Sequence, residues 1–238
     1  MYQQGIVKAD HRNTMNAHKE EYGDFRKRDP DEYSTGSGNE DHMDVKPNVL
    51  YFGTPVVLIS SLDKEGNVNL SPMSSAWALG YNVILGLSTV GKTYENLNET
   101  GELTLNFPDR DLLKSVETLA PLTGKNPVPP SKADRYRYES DKFKAADLTA
   151  VSSDIVHPPL VKECPIQMEA VVKSIHALCQ EEVSAVIVEA TVVKVHASKN
   201  LVLDNEHIDP VKWKPLIYSF RHYFSLGEQL GKSFKSET

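Results

Sequence analysis

Three apolar, extended runs, Val56 to Leu62, Asn67 to Ala76 and Asn82 to Ser88, follow one another with links too short to contain a helix. Parallel neighbours need a crossover of about a dozen residues or more, so runs joined this closely must pair antiparallel. Asp63-Lys64-Glu65-Gly66 joins the first two and ends in the glycine that a tight turn favours. A fourth run covers Leu103 to Phe107, and two long β-branched runs, Ile166 to Leu178 and Ser184 to His196, flank a Gln180-Glu181-Glu182 turn. A last pair is expected from Leu201 to Leu203 and Leu216 to Phe220. Helical signals are few: a short helix from Thr93 to a stop at Gly101, and Leu112, Leu113, Val116 and Leu119 at helical spacing behind Asp109 as N-cap. Many strands with short links and so few helices predict a mainly β fold, a closed or half-open antiparallel barrel.

Gly86 to Thr93 nevertheless spells Gly-Leu-Ser-Thr-Val-Gly-Lys-Thr, which matches the phosphate-binding P-loop pattern. Glycines let backbone amides approach an anion, and Lys92 and Thr93 add a charge and a hydroxyl at a helix start. A nucleoside triphosphatase built on this loop needs alternating strands and helices around a parallel sheet, which the chain does not supply. Val186 to Glu189 could be offered as the magnesium-bearing strand of such an enzyme, but it sits inside a long β-branched run and reads as a core strand. The octapeptide predicts a phosphate ligand other than a triphosphate, with a P-loop NTPase kept as the remote alternative.

At 238 residues the chain can hold one large domain or two small ones. Residues 1–46 are charged and poor in aliphatic side chains, with Ser34 to Asn39 as a flexible stretch, so a polar arm is expected ahead of one domain over 47–238. His11, His18 and His42 lack the cysteines or tight spacing of a metal site, and no metal is expected. A formal net charge of −7 argues against a sequence-blind nucleic-acid surface. No apolar span suits a membrane crossing and no signal-peptide core is legible, so the expected location is the cytoplasm, with Cys164 and Cys179 reduced and buried. Pro121, Pro127, Pro129 and Pro130 exclude regular pairing from residues 121–150, whose Tyr136, Tyr138 and Phe143 suffice to pack the segment as a lid. His157, His176, His196 and His207 have no acid or serine partner at a telling spacing, and no nucleophile triad is legible.

Pro55 to Asn106 resembles the flavin reductase-like, FMN-binding split-barrel family of flavoredoxin-like flavoproteins. The resembling text is Thr54-Pro55-Val56-Val57-Leu58, the stretch Gly66 to Ser75, Lys92-Thr93 with Asn96-Leu97, and Thr100-Gly101-Glu102 leading to Leu105-Asn106. Glu163-Cys164-Pro165, Met168-Glu169-Ala170, Pro215-Leu216-Ile217, Tyr223-Phe224 and Leu226-Gly227 extend it toward the C-terminus. The resemblance implies an antiparallel split barrel of Greek-key type, FMN as cofactor, and a homodimer holding flavin near the subunit interface. It puts Lys92, Thr93 and Ser88 at the phosphate, and Asn69, Ser71, Ser74, Ser75, Ala76 and Trp77 along the ribityl chain and ring. So much Ser and Asn in a strand independently favours a polar ligand over a core. Thr93 as a helix cap, Lys92 as a solvated charge and Trp77 as filler of the barrel end are the plain structural alternatives. Asn106 either orients a neighbouring loop or ends its strand in a turn. Some members place a histidine near the nicotinamide; the residues around His222 depart from that pattern, so an ordinary histidine is expected there.

The implied activity is that of an FMN-dependent oxidoreductase taking hydride from NADH or NADPH and passing electrons to an unidentified acceptor. Such chemistry belongs to the cofactor, so no catalytic acid or base need stand out. An FMN-binding electron carrier or flavin holder without a nicotinamide site is the alternative from another class. A related barrel binding haem or another flat ligand is a third.

Overall fold

The structure, a computed structural model, describes residues 42–43, 45–178, 184–204 and 206–236. The chain divides into two units, Met1–Val49 and Leu50–Thr238, and the fold below is that of the second. Most of the expected arm, with His11 and His18, and also Cys179 and the Gln180-Glu181-Glu182 turn, lie outside the described residues. His42 is described and exposed.

In chain order the first strands are β1 (Phe52–Pro55), β2 (Val57–Leu62), β3 (Val68–Met73), β4 (Ala76–Leu79) and β5 (Asn82–Ser88), followed by helix α1 (Lys92–Thr100) and β6 (Glu102–Phe107). Helix α2 (Leu113–Leu119), β7 (Leu122–Thr123), β8 (Arg137–Tyr138), α3 (Lys142–Ala145), β9 (Ala150–Val151) and β10 (Leu160–Val161) form the middle. The long β11 (Ile166–Ala177) and β12 (Ala185–Ala197) precede β13 (Leu216–Ser219) and β14 (His222–Ser225).

Seven strands form one sheet in the order β3-β2-β6-β11-β12-β5-β4, with every neighbouring pair antiparallel. β3 and β4 occupy its opposite edges, yet only Ser74 and Ser75 separate them in the chain. A flat sheet of this width would hold its edges about 29 Å apart. Three residue steps span at most about 11 Å, so the sheet has to roll into a barrel with the chain crossing its seam at Ser74-Ser75. The seam is tight: the Gly86 N–H donates to the Ser75 carbonyl over 2.8 Å. A Cβ at Gly86 would come within 3.1 Å of the Ser75 Cβ, which explains a glycine in mid-strand.

Alternation sets which side chains enter the barrel. On β5, Val83, Leu85 and Leu87 point inward, and on β12 Val186, Val188, Ala190 and Val192 do so, meeting Val57, Ile59, Leu103 and Leu105. β2 is buried almost throughout because its other face is covered too. There Leu58 and Leu70 pack against Val116 and Leu119 of α2 and Phe143 of α3 in a second cluster outside the barrel. Each fully buried leucine contributes roughly 1.5–3 kcal/mol relative to exposure. α1 ends where expected: Gly101 takes a left-handed conformation (φ 72°) and its N–H donates to the Leu97 carbonyl.

Three expectations need correction. Asp109 does cap, accepting from the Asp111 N–H, but it opens a 3-10 turn over Arg110–Leu112 that runs into α2. No strand forms from Leu201 to Leu203; the Asp204 and Asp209 carboxylates accept N–H groups just ahead of them and fold that stretch into turns. β13 pairs instead with β1 and β14. The proline-bearing segment also admits one short regular pair, β7 with β8, because the prolines from Pro127 to Pro130 fall between the two.

Candidate functional site

α1 starts at Lys92 behind Gly91, whose backbone is extended and which offers no side chain to cap the helix. An uncapped helix start leaves N–H donors and partial positive charge for a ligand. Thr93, buried in the first turn, accepts a hydrogen bond from Asn69 Nδ2 of β3 at 3.1 Å. The Asn69 Oδ1 accepts in turn from Lys142 Nζ at 2.9 Å. Lys142 is only 4% exposed, so its ammonium is spent inside the protein rather than in water. Local sequence drives it there: Asp141 caps α3 by accepting from the Lys144 N–H, and Phe143 is drawn into the outer apolar cluster.

Only one of the three Lys142 donors has an acceptor, and the residue makes no ion pair among the described residues. Burial, and then the neighbouring Lys132 charge, push its amine down to about 8, against the opposing pull of Glu139. Asn69, Ser71, Thr93, Lys132 and Lys142 surround a cavity of 120 Å³ at the helix start. This cavity has the donor set of an anion site.

It is the middle of three cavities. Through Pro72, Ala120 and Tyr136 it adjoins one of 390 Å³ that also has Ser74, Ser75, Ser88 and three tyrosines, Tyr51, Tyr218 and Tyr223, in its wall. Tyr218 sits between the other two rings, with centroids 5.5 Å from Tyr51 and 5.2 Å from Tyr223. Burial and the Glu117 carboxylate, which accepts from the Tyr223 hydroxyl at 2.6 Å, push the Tyr223 phenol well up and keep it protonated. On the other side, through Asn69, Lys92, Gly124 and Lys142, lies a cavity of 770 Å³.

The structure thus brings Asn69, Ser71 and Thr93 to the cationic cavity and Ser74, Ser75 and Ser88 to the aromatic one. Lys92 borders the cationic cavity, but its ammonium turns toward Asp63 (3.4 Å) and Glu95 (2.6 Å). Three expected site residues do not join them. Ala76 faces into the barrel core, and Trp77 on β4 is 59% exposed and lines neither cavity. Asn106 is wholly buried, donating to the Leu58 carbonyl and accepting from the Val161 N–H, which ties β10 to the barrel.

Lys142, Lys132, Tyr51 and Tyr218 escaped sequence reasoning, and Tyr223 entered only as part of the resemblance; the Asp-Lys-Phe order, a cap and a buried ring flanking a lysine, was the available signal for the first. The histidines also differ from expectation. His157 meets Glu102, His176 meets Ser174, His196 meets Glu169 and His207 meets Asp204, at 2.7 to 2.8 Å. None of them lines the three cavities. His222 is exposed and bonds the Phe220 carbonyl. Glu189 accepts from Ser174 on the antiparallel neighbour β11, as a residue of the core strand pair expected there.

The profile of the flavin reductase like domain matches residues 49–227. The chain belongs to the flavin reductase-like family. Uncharacterized protein YdfE of Bacillus subtilis (strain 168) is 45% identical over 196 residues, 82% of this chain and 94% of that protein. Flavoredoxin of Desulfovibrio vulgaris (Miyazaki F) superposes with a TM-score of 0.65 at 22% identity, covering 82% of this chain and all of that one. Nitrilotriacetate monooxygenase component B from Bacillus cereus gives 0.63 at 23% identity, covering 78% and 89%. Both share the fold, so the expected antiparallel split barrel is the architecture found. Membership in the flavin reductase-like family makes this a flavin-related oxidoreductase fold. The residues suit such a ligand: an uncapped helix start and a buried lysine with spare donors for an anion, beside a tyrosine-walled space for a flat ring.

Proposed function

We propose that the protein binds FMN, with its phosphate in the 120 Å³ cavity and its ring in the 390 Å³ cavity, and acts as an NAD(P)H-dependent flavin reductase-like oxidoreductase. The observation that carries this reading is the cationic cavity at the uncapped start of α1, sharing Pro72, Ala120 and Tyr136 of its wall with the aromatic one. Backbone N–H groups at Lys92 and Thr93, the Ser71 hydroxyl and the Lys142 and Lys132 ammonium groups hold the phosphate. Lys92 contributes less charge than its place in the motif suggests, because two carboxylates already neutralise it. Ser74, Ser75 and Ser88 supply polar partners for the ribityl chain and ring edge, and Tyr218 with its neighbours supplies the apolar wall. Bound flavin supplies hydride acceptance, and the chain's task is to hold the ring open to a nicotinamide on one face.

The proposed domain boundaries are a polar arm over residues 1–46 and one flavin-binding domain over 47–238. A homodimer belongs to the same reading, supported by exposed Trp77, Leu79 and Tyr81 in succession at β4 and its turn. A cytoplasmic setting is supported by buried Cys164, a free thiol whose burial pushes it up and keeps it inert. No described helix is long and apolar enough to cross a membrane. The test is anaerobic addition of NADH or NADPH to FMN-loaded protein. Bleaching of the flavin bands is expected. Reduction by dithionite alone would make the protein an electron carrier or flavin holder instead.

A further inference from the structure

Gly124 to Tyr136 runs as one loop past all three cavities and returns to its own starting point. Its neck is the β7–β8 pair, where Leu122 faces Arg137 and Thr123 faces Tyr138. The Arg137 N–H donates to the Pro121 carbonyl there and the Glu139 N–H to the Thr123 carbonyl, each over 3.0 Å. Lys125 and Pro127 line the 770 Å³ cavity, Lys132 the cationic one, and Tyr136 both the cationic and the aromatic one. Little holds the loop in between. None of its side chains is buried or belongs to either apolar cluster, and its ion pair among the described residues joins Lys125, beside the neck, to Glu95. A segment with a firm neck and few buried contacts opens at low cost.

We infer that this loop is a strap that the ligand phosphate latches shut, with Lys132 as the latch and Tyr136 as the part that closes on the ring. The inference rests on the flavin reading above and adds a motion to it. The Lys132 ammonium makes no ion pair among the described residues and lies 5.2 Å from the centroid of the Tyr136 ring. A cation resting on a half-exposed ring is held weakly compared with a charge-assisted hydrogen bond to phosphate. Burial and then the Lys125 charge push the Lys132 amine down, and the Lys132 charge bears on Lys142 in turn. These ammonium groups repel one another, and a phosphate dianion between Lys132 and Lys142 replaces that repulsion with attraction on both sides. The Tyr136 N–H donates to the Lys132 carbonyl over 2.9 Å, so a Lys132 drawn to phosphate carries Tyr136 onto the wall that the two cavities share. At the other end, Gly124 lets the strap leave its neck hard against Asn69, where a Cβ would come within 2.6 Å of Oδ1.

Trypsin tests the strap, because Arg135 lies within it and is exposed. Cleavage of the full chain after Arg135 is followed by mass spectrometry, alone and with riboflavin, FMN or inorganic phosphate, at occupancies set by equilibrium dialysis. FMN at about ten times its dissociation constant is expected to slow this cut by about tenfold. Phosphate is expected to slow it in proportion to its own occupancy, and riboflavin, with the same ring and no phosphate, to leave it unchanged. Lys132→Met is expected to lose the protection at equal FMN occupancy, and Lys132→Arg to keep it. Riboflavin protecting as well as FMN, FMN bound without protection, or Lys132→Met protected like the wild type overturns the inference and leaves the FMN reading intact. A free chain already resistant at Arg135 does the same. If no flavin binds but phosphate protects through Lys132, the latch stands and the flavin reading falls; if neither ligand binds, both fall.

Discussion

Lys142 Nζ donates to Asn69 Oδ1 over 2.9 Å, joining a helix outside the barrel to a strand of its wall. The same Asn69 donates to Thr93, so three residues from three elements share one hydrogen-bonded chain at the start of α1. Removing its charged end separates phosphate binding from ring binding. Lys142→Met is expected to weaken FMN by about 10- to 100-fold, the range of a lost charge-assisted hydrogen bond, and riboflavin hardly at all. Equilibrium dialysis with the two flavins measures the ratio.

The same lysine gives the apo protein a pH signature. Its amine is held at about 8 in the folded chain, below the ordinary 10.5, so between those values the unfolded chain binds more protons than the folded one. Stability from this group therefore rises with pH across that window, while below it the cost of burying the charge is present in full. Between pH 7 and 9.5 the wild type should gain about 2 kcal/mol relative to Lys142→Met. Urea denaturation of both proteins at the two pH values reads this directly.

Much of the barrel was legible because its signals are local. Val83, Leu85 and Leu87 alternate within one strand, and Asp63 to Gly66 turns the chain between neighbours, with the Asp63 carboxylate accepting from Glu65 and Asn67. The helix start at Gly91-Lys92-Thr93 was legible for the same reason. What pattern could not reach were contacts made across the fold. Lys142 meets Asn69 across 73 positions, and Tyr223 meets Glu117 across 106, so neither pairing leaves a spacing to read. Trp77 was read as a ligand neighbour or barrel filler, but it stands outward on an edge strand and does not fill the barrel.

A second buried charge lies away from the cavities. Glu169, wholly buried on β11, accepts from the backbone N–H groups of Asp154, Ile155 and Val156 and contacts His196. Burial alone would raise its carboxyl, but these donors outweigh it and hold the group at about 2. Its contribution to stability is complete above the ordinary carboxyl range and lost as pH falls through about 2. Glu169→Gln should cost about 1–3 kcal/mol at pH 7 and flatten the acid limb of the stability profile. Thermal unfolding monitored from pH 7 down to strongly acidic buffer checks both.

The apolar run at the β4 edge predicts association. Trp77 and Leu79 project from the same side of β4 and are 59% and 73% exposed. Sedimentation should give twice the chain mass, and Leu79→Asp should shift it to the monomer while leaving far-UV circular dichroism unchanged. A wild-type chain that sediments as a monomer would remove the dimer from this account.

The most direct measurement is the visible absorption spectrum of purified protein after incubation with FMN and gel filtration. Retained bands of oxidised flavin, diminished in Lys142→Met and restored toward normal in Lys142→Arg, are the predicted result. Protein that elutes colourless at every FMN concentration tried, and that instead retains magnesium-ATP, would contradict the placement of a flavin phosphate at the start of α1.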